Sequence, residues 1–230
     1  MTNDVVALAG MLEENPRRVE MDTSPSPLML ALFRHAMDAA RVLLDRGADI
    51  DRRDPMSQMT PLMWACQTGD AEIVAFLLDR GADPTLLDVY GHTTLVMASG
   101  GAPPEDRPSN HVAVIRLLLK DGRVRGDVGY GVTSCTALWA ACRSGYADRA
   151  RVLLLEGLVD HAGTGRGAET PMAIAQERGH EECVRLIQVG DDSEACPCPC
   201  ECPRHTVLSE LDAVDSLWVL VLLLSWSQWY

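Results

Sequence analysis

The sequence predicts an all-α protein, a solenoid of stacked helical hairpins that is followed by an irregular C-terminal tail. The first observation behind this prediction is a repeat, because closely similar segments begin at Ser26 and at Thr60, 34 positions later. The second is that each copy contains two short runs with apolar residues at helical spacing. The third is that one such pair of helices is too small to bury its own apolar stripes, so neighbouring copies must stack.

Composition limits the partners that this chain can bind. It has 230 residues, of which 47% are hydrophobic, so it can form a sizeable core and is too apolar to be wholly disordered. The 20 Lys and Arg residues against 33 Asp and Glu residues give a formal net charge of −13. Nucleic acids and anionic membrane surfaces attract basic proteins, so this charge argues against both as partners.

The segment before the clear repeats, residues 1–21, is ambiguous. Its apolar residues between Val5 and Leu12 fit a capping helix or the second helix of a degenerate repeat, ended by Asn15 and Pro16. A frayed tail is the alternative. The segment has no basic residues before its apolar stretch, so a cleaved secretory signal is not expected.

The first helix of each copy is best seen in the second copy. Thr60 is placed to cap it and Pro61 suits the first helical position. In the second to fifth copies a small residue recurs at the same place in this helix and allows close approach of neighbouring helices; the residues are Ala65, Ala98, Ala141 and Ala175. Glycine accepts a left-handed conformation and is expected to end the helix; the residues are Gly69, Gly145 and Gly179.

The second helix of each copy carries its own apolar stripe. In the second copy Ile73, Val74 and Leu77 recur at helical spacing. In the first four copies a glycine follows this helix and is expected to end it; the residues are Gly47, Gly81, Gly122 and Gly157.

The third copy is longer than the others. Taking Asn110 as the match of Gly69, we expect eight extra residues within 99–109, where three prolines and two glycines predict a loop between the two helices. The fifth copy lacks the Gly-Ala ending, as a terminal repeat does. The expected organisation is an N-terminal segment 1–21, a repeat domain 22–188 with a loop near 99–109, and a tail 189–230.

The repeat resembles the ankyrin repeat, whose period is about 33 residues and whose signature is T-P-L-H-x-A. Copies such as TPLMWA from Thr60 and TPMAIA from Thr170 carry the resemblance over roughly residues 22–188. It implies a β-turn, a helix, a short turn and a second helix in each copy, stacked into a curved solenoid. The signature histidine is absent from all five copies; its places hold Met29, Met63, Val96, Trp139 and Ala173.

The resemblance implies a non-catalytic protein–protein interaction module, an adaptor or scaffold. In the family, a partner protein contacts the β-turn tips and the exposed ends of the first helices, along a concave groove. Carried over by position, the candidate protein-binding residues are Phe33, Arg34, Gln67, Thr68, Tyr90, His92, Thr133, Cys135, Arg143, Ser144, Arg166, Glu177 and Arg178. The turn tips also include Met56, Ser57, Met59, Val89 and Glu169.

Within this set, Tyr90, His92, Arg143 and Phe33 are favoured as contacts, because aromatic residues and arginine dominate interface energetics. The alternative is that Phe33 and Tyr90 pack against neighbouring repeats. Trp139, in the place of the family histidine, is expected to border the groove. The acidic chain predicts a basic or mixed protein partner and an association that salt weakens.

No sequence motif of a known catalytic site is present: there is no phosphate-binding G-x-x-x-x-G-K-[ST], no G-x-S-x-G and no H-E-x-x-H. No histidine is paired by spacing with a nucleophile or a carboxylate, so turn or surface roles are expected. We therefore expect no catalytic residue, no bound cofactor and no enzymatic activity.

The eight cysteines form two groups. Cys66, Cys135, Cys142 and Cys183 lie in repeat positions and read as small buried side chains of an intracellular protein, in the cytoplasm or the nucleus. Cys196, Cys198, Cys200 and Cys202 alternate with other residues in a proline-rich segment. That segment is a linker or, together with His205, a site for a soft metal ion, which would make the protein metal- or redox-responsive.

The chain ends in an apolar stretch, Leu217–Tyr230. It is shorter than the roughly 20 residues that span a bilayer and has no basic flank, so a membrane anchor is the less favoured reading. Packing against the solenoid end or another molecule is favoured, and an alternative C-terminus without function remains open.

Overall fold

The computed structural model describes residues 25–102, 109–124, 135–155 and 169–194. Within these ranges the chain forms ten helices in five pairs, one pair for each predicted copy. They are α1 (Pro27–Phe33), α2 (Met37–Asp45), α3 (Pro61–Thr68), α4 (Ala71–Asp79), α5 (Thr94–Gly100), α6 (His111–Asp121), α7 (Ala137–Ser144), α8 (Ala147–Leu155), α9 (Pro171–Glu177) and α10 (Glu181–Glu194). The N-terminal segment 1–21 and the tail beyond 194 lie outside the described residues.

Side-chain caps begin the first helix of every pair, as the sequence predicts. The Thr60 hydroxyl accepts a hydrogen bond from the backbone N–H of Met63 at 3.2 Å, and Pro61 occupies the first turn. The equivalent hydroxyl groups that cap the other four first helices are those of Ser26, Thr93, Thr136 and Thr170. The start of each repeat is therefore set by one local hydrogen bond.

The pairs stack in chain order. The first helices α1, α3, α5, α7 and α9 contact one another in sequence, and the second helices α4, α6 and α8 form an adjacent layer. Leu62, Leu95 and Leu138 are fully buried between the first helices. The predicted small positions, Ala65, Ala98, Ala141 and Ala175, are also fully buried. The prediction of an all-α solenoid of stacked repeats is confirmed.

Residues in the place of the family histidine extend this apolar core. Met29, Met63, Val96 and Trp139 are all less than 9% exposed, whereas Ala173 in the fifth copy is exposed. Burial of these side chains couples neighbouring repeats in four of the five copies.

The insertion of the third copy begins later than the sequence suggested. Ser99 and Gly100 belong to α5, and the helix closes when the Gly101 N–H donates to the Met97 carbonyl at 2.8 Å. A Cβ atom on Gly100 would approach that of Ala140 on α7 to 3.2 Å, so this glycine serves helix packing. The expectation that the loop starts at Ser99 was therefore wrong.

Asn110 likewise occupies a different place from the one predicted. Its side chain accepts from the N–H of Ala113 at 2.9 Å and caps α6, just as Asp70 accepts from Ile73 at the start of α4. Asn110 thus matches Asp70, not Gly69, and the third copy is one residue less extended than expected. Residues 103–108 lie outside the described ranges.

The last helix differs from the predicted boundary at residue 188. α10 continues to Glu194, where the next proline is only three residues away at Pro197. The first compact unit of the chain ends within this helix, at Leu186.

Candidate protein-binding site

The turn before the second repeat is closed by an aspartate. One carboxylate oxygen of Asp54 accepts hydrogen bonds from the N–H of Met56 at 3.1 Å and from the N–H and hydroxyl of Ser57, both at 2.8 Å. The Asp54 N–H donates to the Met59 carbonyl at 2.9 Å. This network holds the Met56 side chain out at the tip, where it is 87% exposed.

The turn before the third repeat is built in the same way. Asp88 Oδ1 accepts from the N–H of Tyr90 at 2.9 Å and from that of His92 at 2.7 Å. The Asp88 N–H donates to the His92 carbonyl at 3.2 Å. Val89 and Tyr90 project from this tip and are 54% and 63% exposed.

Hydrogen bonds join these two tips to each other. The Val89 N–H donates to the Ser57 carbonyl at 3.1 Å, and the Arg53 guanidinium donates to the Leu87 carbonyl at 3.2 Å. The tips therefore form one continuous edge, whose exposed apolar side chains Met56, Val89 and Tyr90 we call the tip surface.

His92 lies at the base of the second tip and has two polar partners. Its Nδ1 atom is 3.1 Å from Asp88 Oδ2, and its side chain also hydrogen-bonds that of Cys135. The hydrogen bond with Cys135 raises the pKa of His92, the Asp88 carboxylate raises it further, and burial opposes both. The Tyr90 ring is 5.8 Å away between centroids.

Two histidines thus have acidic partners in the fold that the sequence analysis did not assign to them. Besides His92, His35 Nε2 lies 3.0 Å from Asp70 Oδ2 in the next repeat. Asp88 is only four residues before His92, but both Cys135 and Asp70 are brought in by the stacking of repeats. Distances along the sequence do not reveal such pairs.

At the end of α3, Gln67 and Thr68 serve the fold as well as the surface. The Gln67 carbonyl accepts from His111 Nε2 of the third repeat at 3.0 Å, while the Gln67 side chain is exposed. The Thr68 hydroxyl donates within its own helix, to the carbonyls of Trp64 and Ala65, both at 3.2 Å. The Gln67 side chain therefore faces solvent, whereas the Thr68 hydroxyl is hydrogen-bonded within its own helix.

Phe33, at the end of α1, packs against the next repeat. Its ring centroid lies 4.1 Å from that of Trp64 on α3, and the side chain is half-buried. This contact matches the packing alternative for Phe33. Arg34 beside it is exposed.

Trp139 is buried rather than placed at the rim of a groove. It is 5% exposed, and the Arg143 guanidinium lies over its ring at 5.4 Å. Its indole Nε1 atom is buried and has no hydrogen-bond partner. Arg143 and Ser144 are exposed at the end of α7, and the Ser144 hydroxyl lies 3.4 Å from the Gly100 carbonyl.

The remaining candidates are distributed as follows. Glu177 and Arg178 are exposed at the end of α9, and Cys135 is 6% exposed. The candidates outside the described residues are Thr133, Arg166, Cys196, Cys198, Cys200, Cys202 and His205. Among the residues that the structure describes, no three His, Cys, Asp or Glu side chains are grouped to hold a metal ion. None of the described helices is both long and apolar enough to cross a membrane, and Leu217–Tyr230 lies outside the described ranges.

Cys66, Cys142 and Cys183 are free thiols and are fully buried, as expected for small core side chains. Burial raises the pKa of the Cys66 thiol. The hydrogen bond with Cys183, together with burial, raises the pKa of Cys142. At neutral pH these two thiols stay protonated and unreactive.

Sequence reasoning missed two kinds of functional residue. Asp54 and Asp88, which shape both tips, carry a recognisable signal because an aspartate that begins a turn commonly accepts from the N–H groups that follow it. Arg149 carries no such signal, yet it is buried and donates to the carbonyls of Ala98 and Ser99, both at 3.2 Å, and of Gly101 at 2.6 Å.

Comparison with known proteins places this chain among repeat proteins. A family model described as ankyrin repeats (3 copies) matches residues 4–88 and 28–124. An ankyrin repeat and KH domain-containing protein of Caenorhabditis elegans is 32% identical over 165 residues, which cover 70% of this chain and 6% of that protein. Ankyrin repeat and SOCS box protein 16 of Homo sapiens is 34% identical over 153 residues, or 65% of this chain and 32% of that protein.

A probable E3 ubiquitin-protein ligase of Oryza sativa subsp. japonica is 28% identical over 190 residues, which cover 80% of this chain and 35% of that protein. The chain thus spans about a third of these relatives or less. Ankyrin repeats, which the family model identifies in this chain, are protein–protein interaction modules. The stacked helix pairs, the capped first helices and the family match agree, and the chain belongs to the ankyrin repeat family.

Proposed function

We propose that this protein is a non-catalytic adaptor or scaffold that binds a partner protein through its turn tips and the exposed ends of its first helices. The residues proposed to form the binding surface are Phe33, Arg34, Gln67, Thr68, Tyr90, His92, Thr133, Cys135, Arg143, Ser144, Arg166, Glu177 and Arg178, with Met56 and Val89 at the tips. The family match supports the general mode of action.

The observation that carries this proposal is the tip surface. Met56, Val89 and Tyr90 expose apolar and aromatic area on two consecutive turns that are hydrogen-bonded to each other. Large apolar side chains at the centre of an interface supply much of its binding energy. Because Asp54 and Asp88 already fix the turns, little conformational entropy remains to be lost when a partner binds.

Charge favours a basic or mixed partner. A net charge of −13 attracts cationic surfaces and accelerates their encounter with this chain, and salt screens that attraction. The buried free thiols of Cys66, Cys142 and Cys183 support a reducing, intracellular location.

Affinity capture with the full chain tests the proposal. The test variant combines Met56→Ala, Val89→Ala and Tyr90→Ala. The control is Leu155→Ala, which removes an apolar side chain of similar size that is 46% exposed at the end of α8, a second helix. We expect quantitative mass spectrometry to show partners depleted at least about tenfold with the test variant and retained with the control.

Equal capture of partners by the wild type and the triple variant would contradict binding at the tip surface. An Arg143→Ala variant then examines the helix ends separately. With a purified partner, the dissociation constant is expected to rise between about 50 and 300 mM salt, and a salt-independent value would contradict the electrostatic part of the proposal.

A further inference from the structure

Apolar side chains are exposed on the first helices of the first two repeats. Leu30 on α1 is 46% exposed, and Trp64, its equivalent 34 residues later on α3, is half-buried. The Phe33 ring lies against that of Trp64, with 4.1 Å between the centroids. Both α1 and α3 pack on the second helix of their own repeat, so their exposed side chains lie on the opposite face. We call Leu30, Phe33 and Trp64 the helix surface.

Exposed arginines lie at the C-terminal ends of the first helices. Arg34 follows α1, Arg143 lies in the last turn of α7 and Arg178 follows α9. Glu177 is the one carboxylate among the described last turns and caps of these helices. The ends of the first helices are therefore locally positive, although the chain as a whole has a net charge of −13.

These three arginines differ from arginines of the second helices in how their charge is compensated. At the second helices, Arg41, Arg80 and Arg151 lie 3.1, 3.0 and 3.6 Å from a carboxylate. Between described residues, no ion pair involves any of the three arginines at the ends of the first helices. Their charge is thus available to a ligand.

We propose that the partner protein binds this chain with an extended acidic segment that carries an apolar anchor. The anchor lies on the tip surface and the helix surface, and the acidic side chains lie at the arginines that end the first helices. This inference rests on the proposed function, because it names the part of the partner that the same surface binds. It specifies the mixed kind of partner, in which the docking segment is acidic.

The stacking of the repeats sets the spacing within such a segment. Trp64 lies on α3 and Arg143 on α7, and α5 packs between these two helices. Packed helices lie about 8–10 Å apart, so two steps cover about 16–20 Å. An extended chain advances about 3.3 Å per residue, so the anchor and the acidic residues should be about five or six positions apart.

Local charge favours an acidic over a basic segment. Salt screens exposed charges beyond about 8 Å, so a bound segment responds mainly to the groups that it touches. At the tips, the Asp54 and Asp88 carboxylates already accept hydrogen bonds from their own turns. Guanidinium groups bind carboxylates through paired hydrogen bonds. A nucleic acid would also meet the arginines, but it would leave Leu30 and the tip surface exposed, so a peptide is favoured.

Selection from a library of random peptides tests the proposal. The bait is the folded full chain, and the displayed peptides have about 12 residues, enough to span about 40 Å when extended. We expect the enriched sequences to combine an aromatic or branched apolar residue with glutamate or aspartate about five or six positions away. No enrichment, or enrichment without an excess of acidic residues, would overturn the proposal. So would equally tight binding of a single-stranded oligonucleotide.

Charge reversal then locates the acidic side chains. The best selected peptide is synthesised, and fluorescence anisotropy gives its dissociation constant. The double variant Arg34→Glu, Arg143→Glu should raise this constant at least about tenfold. The matched control is Arg116→Glu, Lys120→Glu, an equal change of charge at two exposed positions of α6, which should raise it less than about twofold. An equal rise for both variants would assign the effect to net charge and contradict the proposal.

A charge swap separates recognition from a role in the fold. A cation is also favourable at a helix C-terminus, and Arg143 lies over the Trp139 ring. The peptide with lysine in place of its acidic residues should bind the Arg34→Glu, Arg143→Glu variant at least about tenfold more tightly than it binds the wild type. Failure of this rescue in a folded variant would refute the acidic segment. Should the double variant unfold, Arg34→Glu alone is measured in the same way.

The outcomes also distinguish this inference from the proposed function. If the tip variant Met56→Ala, Val89→Ala, Tyr90→Ala loses cellular partners while reversal of Arg34 and Arg143 changes neither their capture nor peptide binding, the tip surface stands and the acidic segment is wrong. If the tip variant captures those partners as the wild type does, the proposed function fails whatever the charge of the peptides.

Discussion

Two glycines pack directly against histidines from neighbouring repeats. Gly69 and Gly145 end α3 and α7 in the left-handed conformation, with φ of 73° and 76°. A Cβ atom on Gly69 would overlap the His111 ring, and one on Gly145 would approach the His180 ring to 2.7 Å. Glycine is needed here both for the backbone conformation and for the close approach of the ring.

We predict that Gly69→Ala destabilises the protein more than Gly122→Ala does. Gly122 has nearly the same φ, 76°, but a Cβ atom there meets nothing within 4 Å. The left-handed conformation costs roughly 1 kcal/mol with alanine at either position. Displacement of His111 should add at least about 1 kcal/mol for Gly69→Ala. Chemical denaturation measures the unfolding free energy of both variants. Equal losses of stability would show that the His111 ring moves aside at no cost.

His111 also gives the protein a pH dependence. Burial lowers the pKa of His111, and the nearby Arg149 charge lowers it further. As pH falls below the ordinary value of about 6.5, the unfolded chain therefore takes up a proton that the folded state resists. The contribution of His111 to stability is complete above that pH and is lost as the pH falls through it towards the native pKa.

The measurement is the free energy of unfolding of the wild type and of His111→Gln between about pH 5 and 8. Glutamine keeps a donor for the Gln67 carbonyl but does not titrate. We expect the wild type to lose more stability on acidification than the variant, whereas parallel curves would contradict the assignment. His92, whose pKa is raised, acts in the opposite direction in both proteins and cancels in the comparison.

Among the helices, α5 depends on a side chain from another repeat for its C-terminal end. Arg149, near the start of α8, donates through one Nη atom to three carbonyls of the last turn of α5 and the residue after it. Its guanidinium also lies 3.7 Å from the Tyr146 ring centroid. Helix carbonyls without a partner in the following turn favour a cation, so Arg149 takes the place of a helix cap.

Replacement of Arg149 by methionine should destabilise the protein by about 3 kcal/mol, because three buried carbonyls lose their donor while the volume is largely kept. Arg116→Met on α6 is the control. Arg116 is exposed, and its loss should change the unfolding free energy by about 0.5 kcal/mol or less. A loss for Arg149→Met as small as that for Arg116→Met would mean that water satisfies those carbonyls.

At the scale of the whole array, the contacts between the described helices of different repeats run between adjacent repeats. In the described part of the chain, α5 and α7 have first-helix neighbours on both sides, whereas the main first-helix neighbour of α1 is α3. In such an array each repeat depends on its own stability and on its two interfaces. Stability should therefore vary along the chain.

Hydrogen exchange measured by mass spectrometry should reveal that variation. We expect amides of α5 and α7 to exchange at least about tenfold more slowly than those of α1 at neutral pH. Equal protection in all three helices would indicate instead that the repeats unfold in a single cooperative step.

The sequence predicts well what is decided locally. The capping hydroxyls and the buried alanines follow from patterns within about ten residues, and the repeat period follows from the recurrence of those patterns; all are found in the structure. The start of the insertion was misplaced because glycine is a poor helix former, and only the neighbouring Ala140 explains why Gly100 stays helical.

The candidate site was predictable only in part for the same reason. Turn position indicates that Tyr90 is exposed, but the contact of His92 with Cys135 and the reach of Arg149 to α5 join residues more than 40 positions apart. Such contacts depend on how far each repeat rotates on the one before it, which local patterns do not encode.

The two ends of the insertion in the third copy are fastened to nearly the same point. Gly101 lies against the Gln67 carbonyl, and the Asn110 N–H donates to the Gly69 carbonyl at 2.7 Å. The chain therefore departs and returns at adjoining sites, and the helices do not dictate how many residues come between. A foreign epitope or a reporter peptide grafted between Ala102 and Ser109 should leave α5 and α6 intact. This position is therefore suited to the insertion of engineered sequence.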